Sequence, residues 1–171
     1  ISVTENQIDV SCNGGNNGSV ILTINGGTPT YSQNWGLNNP IALSTGIANY
    51  QIIDNNGCIY TDSVIITEPL ALSTSTSNSD ISCNGLTDGN ISLTINGGSP
   101  DYTINVPPYN QTLTGGINTF ITPSLLGAGT YNYSITDSNG CVFNSSVTLT
   151  EPAPISVTEN QIDVSCNGGN N

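Results

Sequence analysis

The opening segment ISVTENQIDVSCNGGNN, Ile1 to Asn17, recurs without a change as Ile155 to Asn171. A verbatim repeat of this length sets a period of 154 residues and points to an array of stacked units in which each contacts only its neighbours. A weaker repeat is nested inside it. CNGGNNGSVILTINGGTPTY (Cys12 to Tyr31) matches CNGLTDGNISLTINGGSPDY (Cys83 to Tyr102) at an offset of 71, and DNNGCIYTDSVIITEP (Asp54 to Pro69) matches DSNGCVFNSSVTLTEP (Asp137 to Pro152) at an offset of 83. Two modules therefore make one period: residues 1–69, residues 70–152, and a next copy beginning at 153–171. The second module carries 12 extra residues between Tyr102 and Asp137. Ile1 opens inside a repeat with no signal peptide before it, so targeting signals are expected elsewhere in a longer protein.

Within a module the apolar residues alternate with period two, as they must on a half-buried strand. Val20, Leu22 and Ile24 alternate with Ile21 and Thr23, and Ile91, Leu93 and Ile95 alternate with Ser92 and Thr94. Strands are expected at 1–11, 19–25, 30–35, 40–44, 48–54 and 58–67, then at 71–82, 90–96, 101–106, 112–121, 130–136 and 141–150. Asn56-Gly57 and Asn139-Gly140 mark hairpin turns. The Glu-Pro at 68–69 and 151–152 closes the last strand of each module, because proline cannot donate to a ladder. Helical periodicity is absent. Six or seven short antiparallel strands in a module of this size predict an all-β, immunoglobulin-like sandwich, with Trp35, Tyr50, Tyr102, Tyr131 and Tyr133 as core or corner aromatics.

The chain has no Lys, Arg or His, and twelve Asp and Glu give it a net charge of −12. Nucleic acid requires cations to replace its counterions, and an anionic membrane requires basic clusters, so neither is an expected partner. General bases and oxyanion-stabilising cations are missing, which leaves paired carboxylates as the only acid–base machinery. A glycosidase of that kind is disfavoured, because identical tandem copies of a catalytic site are unusual, and no enzyme activity is expected. No apolar run approaches the ~20 residues of a membrane helix.

The ordered set C-N-G, G-G-[TS]-P-x-Y, G-x-x-Y or G-T-Y, D-x-N-G-C and T-E-P resembles the SprB-type repeat of giant adhesins on the surface of gliding bacteria. The module-one motif Gly46 to Tyr50 (GIANY) departs from the fuller Gly127 to Tyr131 (GAGTY) of module two. The resemblance implies a type IX-secreted, cell-surface, non-catalytic stalk for adhesion and gliding motility. Its partners would be neighbouring repeats and extracellular surfaces or polysaccharide. A polysaccharide-binding module repeated for avidity is the alternative.

Cys12, Cys58, Cys83, Cys141 and Cys166 fall two per module, with one in the next copy. Regular spacing in an extracellular array argues for disulfides, and the close Cys or His pairs of a zinc site are absent. Two connectivities are open. Cys12–Cys58 with Cys83–Cys141 is the simple one. In an end-to-end array, however, the first and last strands of a module both run downward, so Cys12 lies at the bottom and Cys58 at the top. A last strand of about nine residues spans ~30 Å, far beyond the ~6 Å a disulfide accepts. That favours Cys12–Cys141 across the junction and Cys83 with the next copy's Cys58, unless a turn at Glu5 to Gln7 folds the first strand back.

Asp88, Asp101, Glu68 and Glu151 carry the oxygen ligands that Ca²⁺ prefers, but no calcium-loop pattern surrounds them, and solvated carboxylates are the favoured reading; no cofactor is expected. Pro107, Pro108 and Tyr109 form a compact cluster in the insertion. They are either a sugar-contacting tip or, as favoured, an extended hairpin that packs and spaces.

Overall fold

The computed structural model describes residues 1–162 and 166–168, so the stretches 163–165 and 169–171 of the expected next copy lie outside the described residues. Among the described residues there are twelve strands, arranged in four antiparallel sheets, and no helix. In the first sandwich, β1 (Ser2–Ile8) pairs with β2 (Ser19–Asn25), and β3 (Ser32–Asn34), β4 (Gly46–Ile53) and β5 (Ile59–Ile66) form the facing sheet. In the second, β6 (Ser73–Ser79), β7 (Asn90–Asn96) and β10 (Thr119–Ile121) are ordered β10-β7-β6. Facing them, β8 (Tyr102–Val106), β9 (Tyr109–Leu113), β11 (Gly129–Asp137) and β12 (Val142–Leu149) are ordered β12-β11-β8-β9. This order is an immunoglobulin-like arrangement of two antiparallel sheets.

The alternation read from the sequence sets the cores. Ile91, Leu93 and Ile95 on β7 face Ile104, Ile135 and Leu149 from the opposite sheet, all at 1% exposure or less. A separate cluster holds Trp35, Ala48, Tyr50, Ile52, Val64 and Ile66. Trp35, Tyr50, Tyr102 and Tyr133 are buried as expected. Tyr131 is half-buried and donates its hydroxyl to the Gly127 carbonyl four residues upstream (3.0 Å), the corner interaction typical of this fold.

Three expectations need correction. The strand expected at 112–121 is two strands: at Gly115-Gly116, both at positive φ, the chain leaves β9 in one sheet and enters β10 in the other. The strand expected at 40–44 shrinks to a single bridge, Gly18 to Leu43, because Pro40 has no N–H to give and Asn39 turns the chain by capping the Ile41 N–H. GIANY does not match GAGTY. Gly46 lies opposite Ile66 as Gly129 lies opposite Leu149, so Tyr50 corresponds to Tyr133, and Ala48 stands where module two has Tyr131.

The core assignment predicts a sharp contrast between two isoleucines. Ile104→Ala removes a fully buried side chain and should lower stability by about 2–5 kcal/mol in chemical denaturation. Ile59→Ala, at a side chain 62% exposed, should change it by no more than about 0.5 kcal/mol.

Candidate functional site at the module junction

The lower end of the first sandwich is organised by carboxylates that accept backbone N–H groups. Past β1 the chain stays beside the end of β5. The Asp9 carboxylate accepts the Thr67 N–H (2.9 Å) and hydroxyl (2.7 Å), and the Val10 N–H donates to the Thr67 carbonyl. Glu68 accepts the Gly14 N–H (2.7 Å), and the Asn13 amide donates to the Pro69 carbonyl (3.1 Å). The first and last strands therefore end together, which is the parallel sense expected of modules joined end to end. Continuous pairing of β1 from Ser2 to Ile8 leaves no fold-back at Glu5 to Gln7.

At the upper end, Asp54 closes the β4–β5 hairpin. Its carboxylate accepts the N–H groups of Thr28, Asn56 and Cys58 at 2.8–2.9 Å. Asp137 does the same for Ser99, Asn139 and Cys141 in the second sandwich, all at 2.9 Å. Each hairpin thus presents its cysteine from a rigid turn at the start of the last strand.

Where the two sandwiches meet, the Leu70-Ala71 linker lies on the Gly97-Gly98 turn of the second. The Gly98 N–H donates to the Leu70 carbonyl (2.8 Å), and a Cβ on Gly97 would come within 2.1 Å of the Ala71 oxygen, so the approach demands glycine. The Asn139 amide donates across the junction to the Ser11 carbonyl (3.0 Å). Beside it Cys12 and Cys141 form a disulfide, with Cα atoms 5.7 Å apart. The junction-crossing pairing expected from strand direction is therefore the one present. Cys58 belongs to the far end of β5, eight residues or ~26 Å from Cys12's end, and the Cys12–Cys58 and Cys83–Cys141 pairings do not form. Cys58, Cys83 and Cys166 are exposed thiols in this chain.

The other candidate residues have structural surroundings. Asp88 accepts the Ser82 N–H (3.1 Å) and hydroxyl, Asp101 accepts the Gly115 N–H (3.0 Å), and Glu151 accepts the Gly85 N–H (2.6 Å). Among the described residues no three of His, Cys, Asp or Glu are grouped to hold a metal ion. Pro107 and Pro108 are the exposed two-residue turn between β8 and β9, and Tyr109 packs against the core. The insertion is thus an extra hairpin strand. Sequence reading missed a pair of shallow open troughs at equivalent places. One is lined by Asn49, Thr61 and Ser63 beside the Trp35–Tyr50 pair (centroids 5.1 Å apart), the other by Asn132, Asn144 and Ser146. The three positions correspond at the 83-residue offset, with Asn49 matching Asn132 and Ser63 matching Ser146, but only the strand pairing shows that they share one face of the sheet.

The caps have a pH signature. The Thr67 N–H and hydroxyl hold the Asp9 carboxyl below the usual range; Thr150 does the same for Asp80, and the Thr28 and Cys58 N–H groups for Asp54. A carboxyl lower in the folded than in the unfolded chain stabilises above its unfolded value, ~3.9, and that contribution is lost as pH falls through the folded value. Acidification also relieves repulsion among twelve acids, but that effect is screened beyond ~8 Å at physiological salt, whereas the caps act in direct contact. Thermal unfolding at 0.15 M salt should be flat from pH 8 to about 5 and fall below about 4, with a shallower fall in Asp80→Ala. A midpoint that rises on acidification contradicts this.

A family model described as SprB repeat matches residues 4–35 and 75–118, which span β1 to β3 of the first sandwich and β6 to β9 of the second. No curated relative matches. Among solved structures, the amphioxus IgVJ-C2 molecule is similar at 12% identity with a TM-score of 0.32, covering 86% of this chain and 96% of that one. At that score the likeness carries no argument, and the sandwich assignment rests on strand order.

Proposed function

We propose, from the match of two segments to the SprB-repeat family model, that the chain is a stalk segment of a long, secreted cell-surface adhesin that serves adhesion and gliding motility and has no catalytic activity. The observation that carries this reading is the clipped junction: two sandwiches in series, joined by a two-residue linker and a disulfide, suit the transmission of force along an array. Absence of catalysis is supported by the carboxylates, which are engaged by backbone donors and have no His, Lys or Arg to work with. Neighbouring repeats and an extracellular surface are its partners; nucleic acid and direct membrane insertion are not.

A second reading, a polysaccharide-binding module repeated for avidity, is favoured by the paired troughs, whose amides and hydroxyls offer hydrogen bonds to neutral sugars. The Pro107-Pro108 turn and Tyr109 lie in the same hairpin as the second trough and would extend it. One set of experiments separates the readings. Antibody against the chain should label intact source cells and move with the gliding surface, and scattering from multi-period arrays should show length growing in proportion to repeat number. Labelling only after permeabilisation, or coil-like square-root growth, overturns the stalk. Retention by neutral polysaccharide in affinity electrophoresis, lost in Asn132→Ala with Asn144→Ala, establishes the second reading.

A further inference from the structure

One junction is complete in this chain, and both of its halves recur. The lower end of the first sandwich repeats at the lower end of the second. Asp80 holds Thr150 as Asp9 holds Thr67, Glu151 holds the Gly85 N–H as Glu68 holds Gly14, and Asn84 donates to the Pro152 carbonyl (3.2 Å) as Asn13 does to Pro69 (3.1 Å). Cys83 therefore leaves the second sandwich from the position of Cys12 in the first.

The upper end recurs in the same way. The Asn56 amide donates to the Thr28 hydroxyl (2.9 Å) as Asn139 does to that of Ser99 (3.0 Å), and the Cys58 N–H is held by Asp54 as Cys141's is by Asp137. Gly26-Gly27 repeats Gly97-Gly98, the turn on which the linker lies. The linkers have equal length: Leu70-Ala71 runs from Pro69 to Leu72, and Ala153-Pro154 runs from Pro152 to Ile155, where Leu72 and Ile1 occupy matching places against Gly98 and Gly27. Because the offsets 71 and 83 together make the 154-residue period, the next copy's counterpart of Cys58 follows Cys83 by 129 residues, the separation of Cys12 and Cys141.

We infer that Cys83 and the Cys58 of the following copy form a second junction disulfide, so that every junction of the array is clipped and the bridges interlock, each starting inside the loop closed by the one before. Both thiols are exposed and free in the single period, as this requires. The bond forms by exchange with an external disulfide, such as glutathione disulfide or a disulfide-carrying oxidoreductase. The two protein thiols give up two protons and two electrons, and the external disulfide leaves as two thiols. The inference rests on the repeat and the observed junction, and stands or falls independently of the adhesin reading.

Peptide mapping tests it. In the chain itself, oxidised by glutathione disulfide at low concentration and alkylated without reduction, Cys58, Cys83 and Cys166 should take label, while Cys12 and Cys141 do not. In the chain continued through a second full period, Cys83 of the first copy and the Cys58 counterpart of the second should both lose label. An Asp/Glu-directed protease, needed because trypsin has no site here, should release them as one pair that separates on reduction. Cys83→Ser in the first copy should restore labelling of that one counterpart and leave Cys12–Cys141 intact. Full labelling of Cys83 in the longer chain, or its recovery joined to Cys58 or Cys141 of its own copy, overturns the inference.

Discussion

The first and last strands of each sandwich run the same way and end together, and the rest of the molecule's organisation follows from that. The contact that enforces it is small: one aspartate, Asp9 or Asp80, ties the segment after the first strand to the threonine that closes the last, Thr67 or Thr150. With both strands descending, a chain enters each sandwich at the top and leaves at the bottom. A cysteine after the first strand and a cysteine before the last are then separated by the length of the sandwich. They meet only across a junction. Strand direction thus turns cysteines that would otherwise lock single domains into a clip between domains, and the constraint applies where a small two-sheet module is least able to resist bending, at a two-residue linker.

A chain with no cationic side chain cannot use ion pairs, and its acids have been turned to another use. Asp9, Asp54, Asp80, Asp88 and Asp137 each accept N–H groups at a turn or strand end, where the backbone has no ladder partner. No buried side-chain polar atom lacks a partner among the described residues. Charge-assisted bonds of this kind define where hairpins turn, which fixes the cysteines in position. The same residues that hold the fold together therefore set the geometry of the junction.

Much of this was legible in the sequence because repetition replaces missing information. The period, the core-facing alternation on β2 and β7, the hairpins at Gly57 and Gly140, and the preference for Cys12–Cys141 came from pattern and strand direction alone. What escaped depends on pairing partners. Gly115-Gly116 reads as a weak strand interior until β9 and β10 are seen in different sheets. Matching GIANY to GAGTY follows the letters, whereas the register against β5 and β12 puts Tyr50 level with Tyr133.

The clip across the junction is tested most directly by stretching single molecules of the chain from its two ends. With Cys12 and Cys141 joined, the residues between them are closed in a loop that force cannot extend, even after both sandwiches unfold. Reduction should therefore lengthen the fully unfolded chain by about 450 Å, from the 129-residue separation at ~3.5 Å per residue. No change on reduction, or the smaller gain of about 360 Å that separate Cys12–Cys58 and Cys83–Cys141 loops would release, contradicts the account.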